Sequence, residues 1–293
     1  MKKILCSWFM LLLLFAVSPL YAMDYILGVK GGYFFWEPSL KKSEINGFSQ
    51  MDKGSGALYG PVFSVIFTPE ISLSLSGLMG EQGTSWQTSR ELNSQGKYVS
   101  GDFSFNSKRY DLDGALSYRL GESFKVFAGY KYMYLKSRMQ YTEFRVDSNG
   151  KLEEVNIDDG EFKQPSHGPA LGLGISIPLS KGYFFAVNLS GLYMKGKLEI
   201  QNKEYGGYES SNFTTPKVSD KDRNLKFDTE IWGGNLEPSV GVNMGEGMPI
   251  VTLGVRYQWL RIKYKSNTTQ DALPSKAMND KVYGVFVGVM YQI

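Results

Sequence analysis

The sequence predicts an all-β protein, a transmembrane, antiparallel, up-and-down β-barrel of about ten strands. Three observations predict it. Large apolar residues alternate with small or polar ones along most of the chain after residue 23. Short turns and long polar connections follow one another in strict alternation. Aromatic residues make up 14% of a chain whose mean hydropathy is only −0.24. That hydropathy leaves no room for a bundle of spanning helices, each needing about 20 mostly apolar residues. Disorder is excluded as well, because 18 Phe, 19 Tyr and 5 Trp supply far more buryable surface than a disordered chain carries.

Residues 1–22 read as a secretory signal peptide. Lys2 and Lys3 form its basic start, Ile4 to Val17 its apolar run, and Ser18-Pro19-Leu20-Tyr21-Ala22 the approach to cleavage. Pro19 ends the apolar run below spanning length, which disfavours an uncleaved anchor helix. Residues 23–293 then form a single barrel domain. The only cysteine, Cys6, lies in the leader, so the exported chain has neither a disulfide nor a thiolate metal site. A net charge of +3 for all 293 residues, lower still without Lys2 and Lys3, gives no reason to expect nucleic acid as a partner.

Beyond the leader, period-two alternation marks strands near 25–36, 56–67, 71–83, 103–120, 124–145, 166–178, 183–200, 227–243, 249–265 and 280–293. In the third, Ile71, Leu73 and Leu75 oppose Ser72, Ser74 and Ser76. In the sixth, Leu171, Leu173, Ile175 and Ile177 oppose Gly168, Ala170, Gly172, Gly174 and Ser176. In the last, Tyr283, Val285, Val287, Val289, Tyr291 and Ile293 oppose Gly284, Phe286, Gly288, Met290 and Gln292. Short turns fall at Thr68-Pro69-Glu70, Gly121-Glu122-Ser123, Ser180-Lys181-Gly182 and around Gly245-Glu246-Gly247. The other five connections are long and polar. All short turns therefore lie at one end of the sheet, with the termini, and all long connections at the other.

An open sheet edge cannot exist in lipid, so the first strand must pair with the last. A soluble sandwich or lipocalin-type barrel would turn the large apolar face inward and expose Lys, Glu and Thr. Here the second face is rich in Gly, Ala and Ser, which suits a narrow lumen. Aromatics sharing the apolar parity cluster toward strand ends: Tyr33, Tyr110, Tyr130, Tyr132, Tyr134, Trp232, Tyr257 and Trp259. They are expected to form a girdle at the membrane interface. The expected location is the bacterial outer membrane, with the long loops facing the cell exterior.

With these features the chain resembles the small monomeric outer-membrane β-barrels, the OmpA-type, opacity-protein and omptin group, over its mature length. The resemblance is architectural. It implies recognition by the barrel-assembly machinery through the C-terminal strand, where Val287, Val289, Tyr291 and Ile293 look like the assembly signal. Ile293 stands where members of the group usually place Phe.

Placing the apolar parity outside puts a set of charges inside: Lys30, Arg109, Asp111, Asp113, Arg119, Lys125, Lys131, Glu237 and Arg256. Folding the fourth and fifth strands about their turn, with Leu120 opposite Phe124, brings Asp113 to Lys131. Pairing Asn243 with Ile250 brings Glu237 to Arg256. Lumenal ions in a low-dielectric interior need such partners. A one-residue slip would send an Arg or Lys into lipid at a cost of about 2–4 kcal/mol. These ions read as a structural plug rather than a selectivity ring, since side chains largely fill a barrel of this size.

No standard catalytic constellation is visible. Asp111-Leu112-Asp113 matches the spacing of the Asp pair that the omptin resemblance implies, but the only histidine, His167, follows Ser166 and Pro165, and no Asp-x-His occurs. The protein is expected not to be an enzyme. No cofactor is expected. The acidic run of Glu153, Glu154, Asp158, Asp159 and Glu161 lacks the spacing of a calcium loop. Lys203, Tyr205, Tyr208, Lys217, Lys221 and Arg223 in a long loop could meet lipopolysaccharide phosphates or a host protein. The expected partners are outer-membrane lipid, lipopolysaccharide, and an extracellular protein or small solute. The expected role is a surface interaction or envelope-structural protein with an occluded lumen, the alternative being a narrow channel for small solutes or ions.

Overall fold

Alternation builds the wall. The computed structural model describes residues 23–42, 51–88, 91–92, 98–147, 149–209, 217–218, 223–266 and 277–293; the proposed leader lies outside them. The strands, in chain order, are β1 (Asp24–Glu37), β2 (Gly54–Ile66), β3 (Ile71–Gln87), β4 (Glu91–Leu92), β5 (Tyr98–Leu120), β6 (Phe124–Val146), β7 (Leu152–Ser180), β8 (Tyr183–Glu209), β9 (Lys217–Val218), β10 (Arg223–Asn243), β11 (Ile250–Ser266) and β12 (Met278–Gln292). The two-residue strands β4 and β9 are short additions. The ten long strands make an antiparallel ring, with β8 pairing β10 and β12 returning to β1. Closure runs from Ile26 opposite Gln292 to Glu37 opposite Lys281. At the chain end, Ile293 N donates to Tyr25 O at 2.8 Å and Tyr25 N to Ile293 O at 3.0 Å.

The tight turns and the two deduced registers match the sequence reading. Gly121 and Gly182 sit in turns with φ of 73° and 78°, a left-handed conformation that glycine adopts without strain. Leu120 opposes Phe124, Asp113 opposes Lys131 and Asn243 opposes Ile250. Glu237 and Arg256 face each other between the pairs Leu236–Tyr257 and Ser239–Gly254, where Pro238 lacks the N–H a ladder needs.

Strand lengths differ from expectation. β7 has 29 residues and β8 has 27, so the acidic run taken as a loop is paired strand, and residues 147–151 alone connect β6 to β7. The sequence reading ended strands where apolar alternation ended. The backbone goes on pairing, with polar side chains outside: Lys136 opposes Lys163 and Arg138 opposes Glu161.

The wall has two zones. From the short-turn end, large apolar side chains face out, among them Val29, Leu116, Leu171 (67% exposed), Leu253 and Val285. This exposed belt is what a bilayer covers. It ends at Tyr33, Tyr59, Tyr110, Tyr132, Tyr193 and Tyr257, all outward and exposed. Beyond it the parity reverses, and Phe34, Trp36, Phe105, Met194, Ile231 and Ile262 are buried inside the ring. The expectation of a lumen lined by small residues therefore holds only for the half nearer the short turns. Close strand approach needs Gly at some wall positions: a Cβ on Gly233 would lie 2.0 Å from Trp259 O.

Candidate functional site

The charged inward residues meet where the two zones join. β5 supplies Arg109, Asp111 and Asp113 by alternation, β6 supplies Lys131, β10 Glu237, β11 Arg256 and β1 Lys30. Asp111 is the hub. Arg109 grips it with two bonds, Nε to Oδ1 and Nη2 to Oδ2, both 3.1 Å. Lys131 Nζ lies 3.5 Å and Arg256 Nη2 3.7 Å from Asp111 Oδ2. Lys131 also donates to both oxygens of Asp113, at 2.9 and 3.1 Å. On the other side Arg256 Nε is 3.4 Å from Glu237 Oε1, and Lys30 donates to Glu237 Oε2 at 2.7 Å. Asn235 Nδ2 donates to Glu237 Oε1 at 3.1 Å, Lys30 Nζ lies 3.8 Å from the Phe286 ring centre, and Arg109 donates to Gln258 Oε1. Four cations and three carboxylates thus form one connected web across five strands. Arg109 is only 1% exposed and Lys131 2%.

Two expected members stand apart. Arg119 and Lys125 share the inward parity and oppose each other in the register, but both are exposed beside the Gly121 turn and join no ion pair among the described residues. Among the described residues the web has seven of the nine expected members, because Arg119 and Lys125 lie six residues nearer the turn than Asp113 and Lys131 and pair with none of its carboxylates.

Above the web the inward side chains are aromatic and aliphatic. Trp86 stacks on Phe103 with ring centres 4.8 Å apart, and Phe103 on Tyr141 at 4.2 Å. Part of the β1–β2 connection folds in over this core: a 3-10 turn at Ser39–Lys42 brings Ser39 Oγ to 3.2 Å from the Tyr264 hydroxyl, and Met51 is buried. Asp280 lies here and accepts a 2.9 Å bond from Trp36 Nε1. Burial pushes its carboxyl up from the usual carboxylate range. Asp280 escaped the sequence reading, although its parity with Val282 placed it inside.

The outward aromatics sit as expected in parity. Tyr33, Tyr110, Tyr130, Tyr132 and Tyr257 are exposed, and Tyr134, Trp232 and Trp259 are half-buried. On β12, Val287, Tyr291 and Ile293 are exposed and Val289 is half-buried, all on the outer face. His167 also faces outward, bonded through Nδ1 to the Tyr130 hydroxyl, so it and the Asp111-x-Asp113 pair lie on opposite sides of the wall. It stands within β7 rather than at a strand end. Within the acidic run, Asp159 pairs with Arg138 at 2.5 Å, and Glu161 with Lys136 at 3.1 Å and Lys163 at 2.6 Å, while the side chains of Glu153 and Glu154 lie outside what is described. Lys163 and Lys136 hold the Glu161 carboxyl below its usual range. Among the described residues no acid–histidine cluster has metal-binding geometry. Of the loop residues expected to meet lipid phosphates, Lys221 lies outside the described residues. Lys203, Tyr205, Tyr208, Lys217 and Arg223 fall in strands, with their side chains outside what is described.

Neither a protein-family model nor a curated protein matches the sequence. Among solved structures, the outer membrane protease OmpT from Escherichia coli is similar at 11% identity and a TM-score of 0.45, covering 92% of this chain and 96% of its own. The translocator domain of the autotransporter NalP from Neisseria meningitidis is similar at 10% identity and a TM-score of 0.37, covering 99% of this chain and 95% of its own. The toluene transporter TodX from P. putida is similar at 9% identity and a TM-score of 0.35, covering 94% and 90%.

Proposed function

We propose that the chain is a non-conducting, non-enzymatic barrel of the bacterial outer membrane, whose long-strand end projects from the cell surface and presents its wall and connections to an extracellular partner. The observation that carries this is the filling of the ring: a buried ion web followed by a buried apolar core. The two layers act in series and oppose different solutes. An ion would have to leave water for the apolar layer, and an apolar solute would have to displace paired charges. The outward assignment of the long-strand end is supported by the general pattern of short periplasmic turns and longer external loops. The outward aromatics serve this reading as an interfacial girdle, and the outer face of β12 as the assembly signal.

Two measurements test it. In planar bilayers the purified protein should pass no steady current. A stable conductance that changes with Arg256→Gln would instead favour the narrow channel, whose support is the charged lumen. On intact cells, a single thiol introduced as Asn149→Cys, in the exposed β6–β7 turn, should react with a membrane-impermeant maleimide. Labelling only after cell rupture would reverse the orientation.

A further inference from the structure

Outside the ring, three lateral rows cross β8, β10 and β11 just beyond the apolar belt. The first is Tyr193, Trp232 and Arg261, the second Lys195, Glu230 and Lys263, and the third Lys197, Asp228 and Lys265, each aligned by the register. Strands tilted about 40° and rising about 3.3 Å per residue place the second and third rows roughly 5 and 10 Å beyond the aromatic row along the membrane normal. The second row lies within the headgroup layer, about 5–8 Å thick, and the third at its aqueous edge. Arg261 stacks over the Trp232 ring at 5.7 Å, and Lys265 pairs with Glu230 at 2.6 Å. Lys195, Lys197 and Lys263 are exposed and make no ion pair among the described residues. The face therefore carries five cations against two carboxylates in these rows. By contrast, two of the three aligned lysines on β5, β6 and β7, Lys136 and Lys163, share Glu161.

The charge is arranged in columns. β8 presents Lys195 and Lys197, β11 presents Arg261, Lys263 and Lys265, and β10 between them presents Asp228 and Glu230. Two basic columns about 10 Å apart, the width of two strand spacings, suit a ligand with two separated anionic groups. The acids between them can accept hydrogen bonds from hydroxyls. We propose that this face binds the headgroup of an outer-leaflet glycolipid that carries phosphates on two linked sugars. The lysine columns take the phosphates, β10 takes the sugar hydroxyls, and the Tyr193–Trp232 row meets the start of the acyl chains. The proposal rests on the outward orientation of the long-strand end given above.

The test uses the full mature chain folded in a neutral detergent and titrated with bisphosphorylated lipid A, the same lipid without phosphates, and phosphatidylglycerol, with bound lipid counted by native mass spectrometry. The wild type should prefer bisphosphorylated lipid A over the phosphate-free form by about a hundredfold, from roughly fivefold for each of three free lysines. Lys195→Gln, Lys197→Gln and Lys263→Gln combined should abolish that preference. A control removing as many exposed cations elsewhere, Lys108→Gln, Lys151→Gln and Lys181→Gln, should keep it. Equal binding with and without phosphates, or equal loss in both triple variants, would overturn the proposal. Binding of phosphatidylglycerol as tight as that of lipid A would overturn its choice of a two-phosphate sugar. Labelling at Asn149→Cys judges orientation separately, so a correctly oriented protein that ignores lipid A phosphates sinks this proposal alone.

Discussion

Asp111→Asn isolates what holds the lumenal web together. The substitution keeps the shape of the side chain and removes its charge, leaving four cations facing two carboxylates. Asp111 meets Arg109 at 3.1 Å, Lys131 at 3.5 Å and Arg256 at 3.7 Å. At an effective dielectric near 20 each contact is worth about 5 kcal/mol before desolvation. Desolvation cancels most of that, so the measured loss should be the about 3–5 kcal/mol of a broken buried pair. Urea unfolding in micelles, followed by tryptophan fluorescence, reads it directly. The charge argument makes a second demand. Adding Lys131→Met should recover part of the loss, because it restores the original excess of one cation while filling the same space. A single variant within about 1 kcal/mol of wild type, or a double variant no better than the single, would refute the claim that charge balance holds this layer.

Three further outcomes follow. Ile231→Ala, at a fully buried site in the core beyond the belt, should cost about 2–5 kcal/mol in the same urea titration; a smaller loss would mean that this core is loosely packed. Leu173→Arg, in the exposed belt, should cost about 2–4 kcal/mol in a lipid bilayer. Asn106→Arg, outward beyond the belt, should fall within about 0.5 kcal/mol, and equal costs would misplace the bilayer. Asp280→Asn should raise the unfolding midpoint at pH 8. The folded pKa of Asp280 lies above its ordinary value, so stability associated with it is present at low pH and lost as pH rises through the folded pKa. The advantage of the amide should therefore shrink as pH falls into the usual carboxylate range, and an amide variant that is less stable at every pH would count against a charge cost at this position.

The barrel was legible because lipid imposes an unusually strict rule on sequence. Val285, Val287 and Tyr291 could face only one way once the wall was known to close. The pairing of Asp113 with Lys131 followed from the turn at Gly121 alone. Three things were not legible. The extent of β7 and β8 was lost because Lys163, Glu161 and Lys197 look like loop residues, although a paired strand beyond the bilayer needs polar residues outside. The separation of Arg119 and Lys125 from the web depends on their distance from the barrel mouth, which parity does not encode. The basic columns on β8 and β11 were not legible because Lys195 and Lys263 sit inside strands, where parity gives their face but neither their depth nor their neighbours across the sheet.

The reversal of parity is the feature that ties these together. On β11, Leu253, Val255 and Tyr257 face out, and then Leu260, Ile262 and Tyr264 face in. On β5 the buried Phe103 and Phe105 precede the outward Tyr110 and Leu112. On β10, Phe227 and Ile231 are inside and Leu236 and Val240 outside. A strand cannot change faces without a bulge, so the switch must be made by composition: apolar residues leave the outer parity at the depth where water replaces lipid and take up the inner one. The chain is thus an inverted barrel within the bilayer and an ordinary one beyond it. The ion web lies at the junction because that is the one level where the interior changes from small and polar to large and apolar. The lysine columns lie just beyond the same level outside, where an outward cation is no longer penalised by lipid. A sequence in which apolar parity flips at matching heights on successive hairpins marks its own membrane boundary, and the residues immediately beyond that flip are where lipid headgroups should be sought.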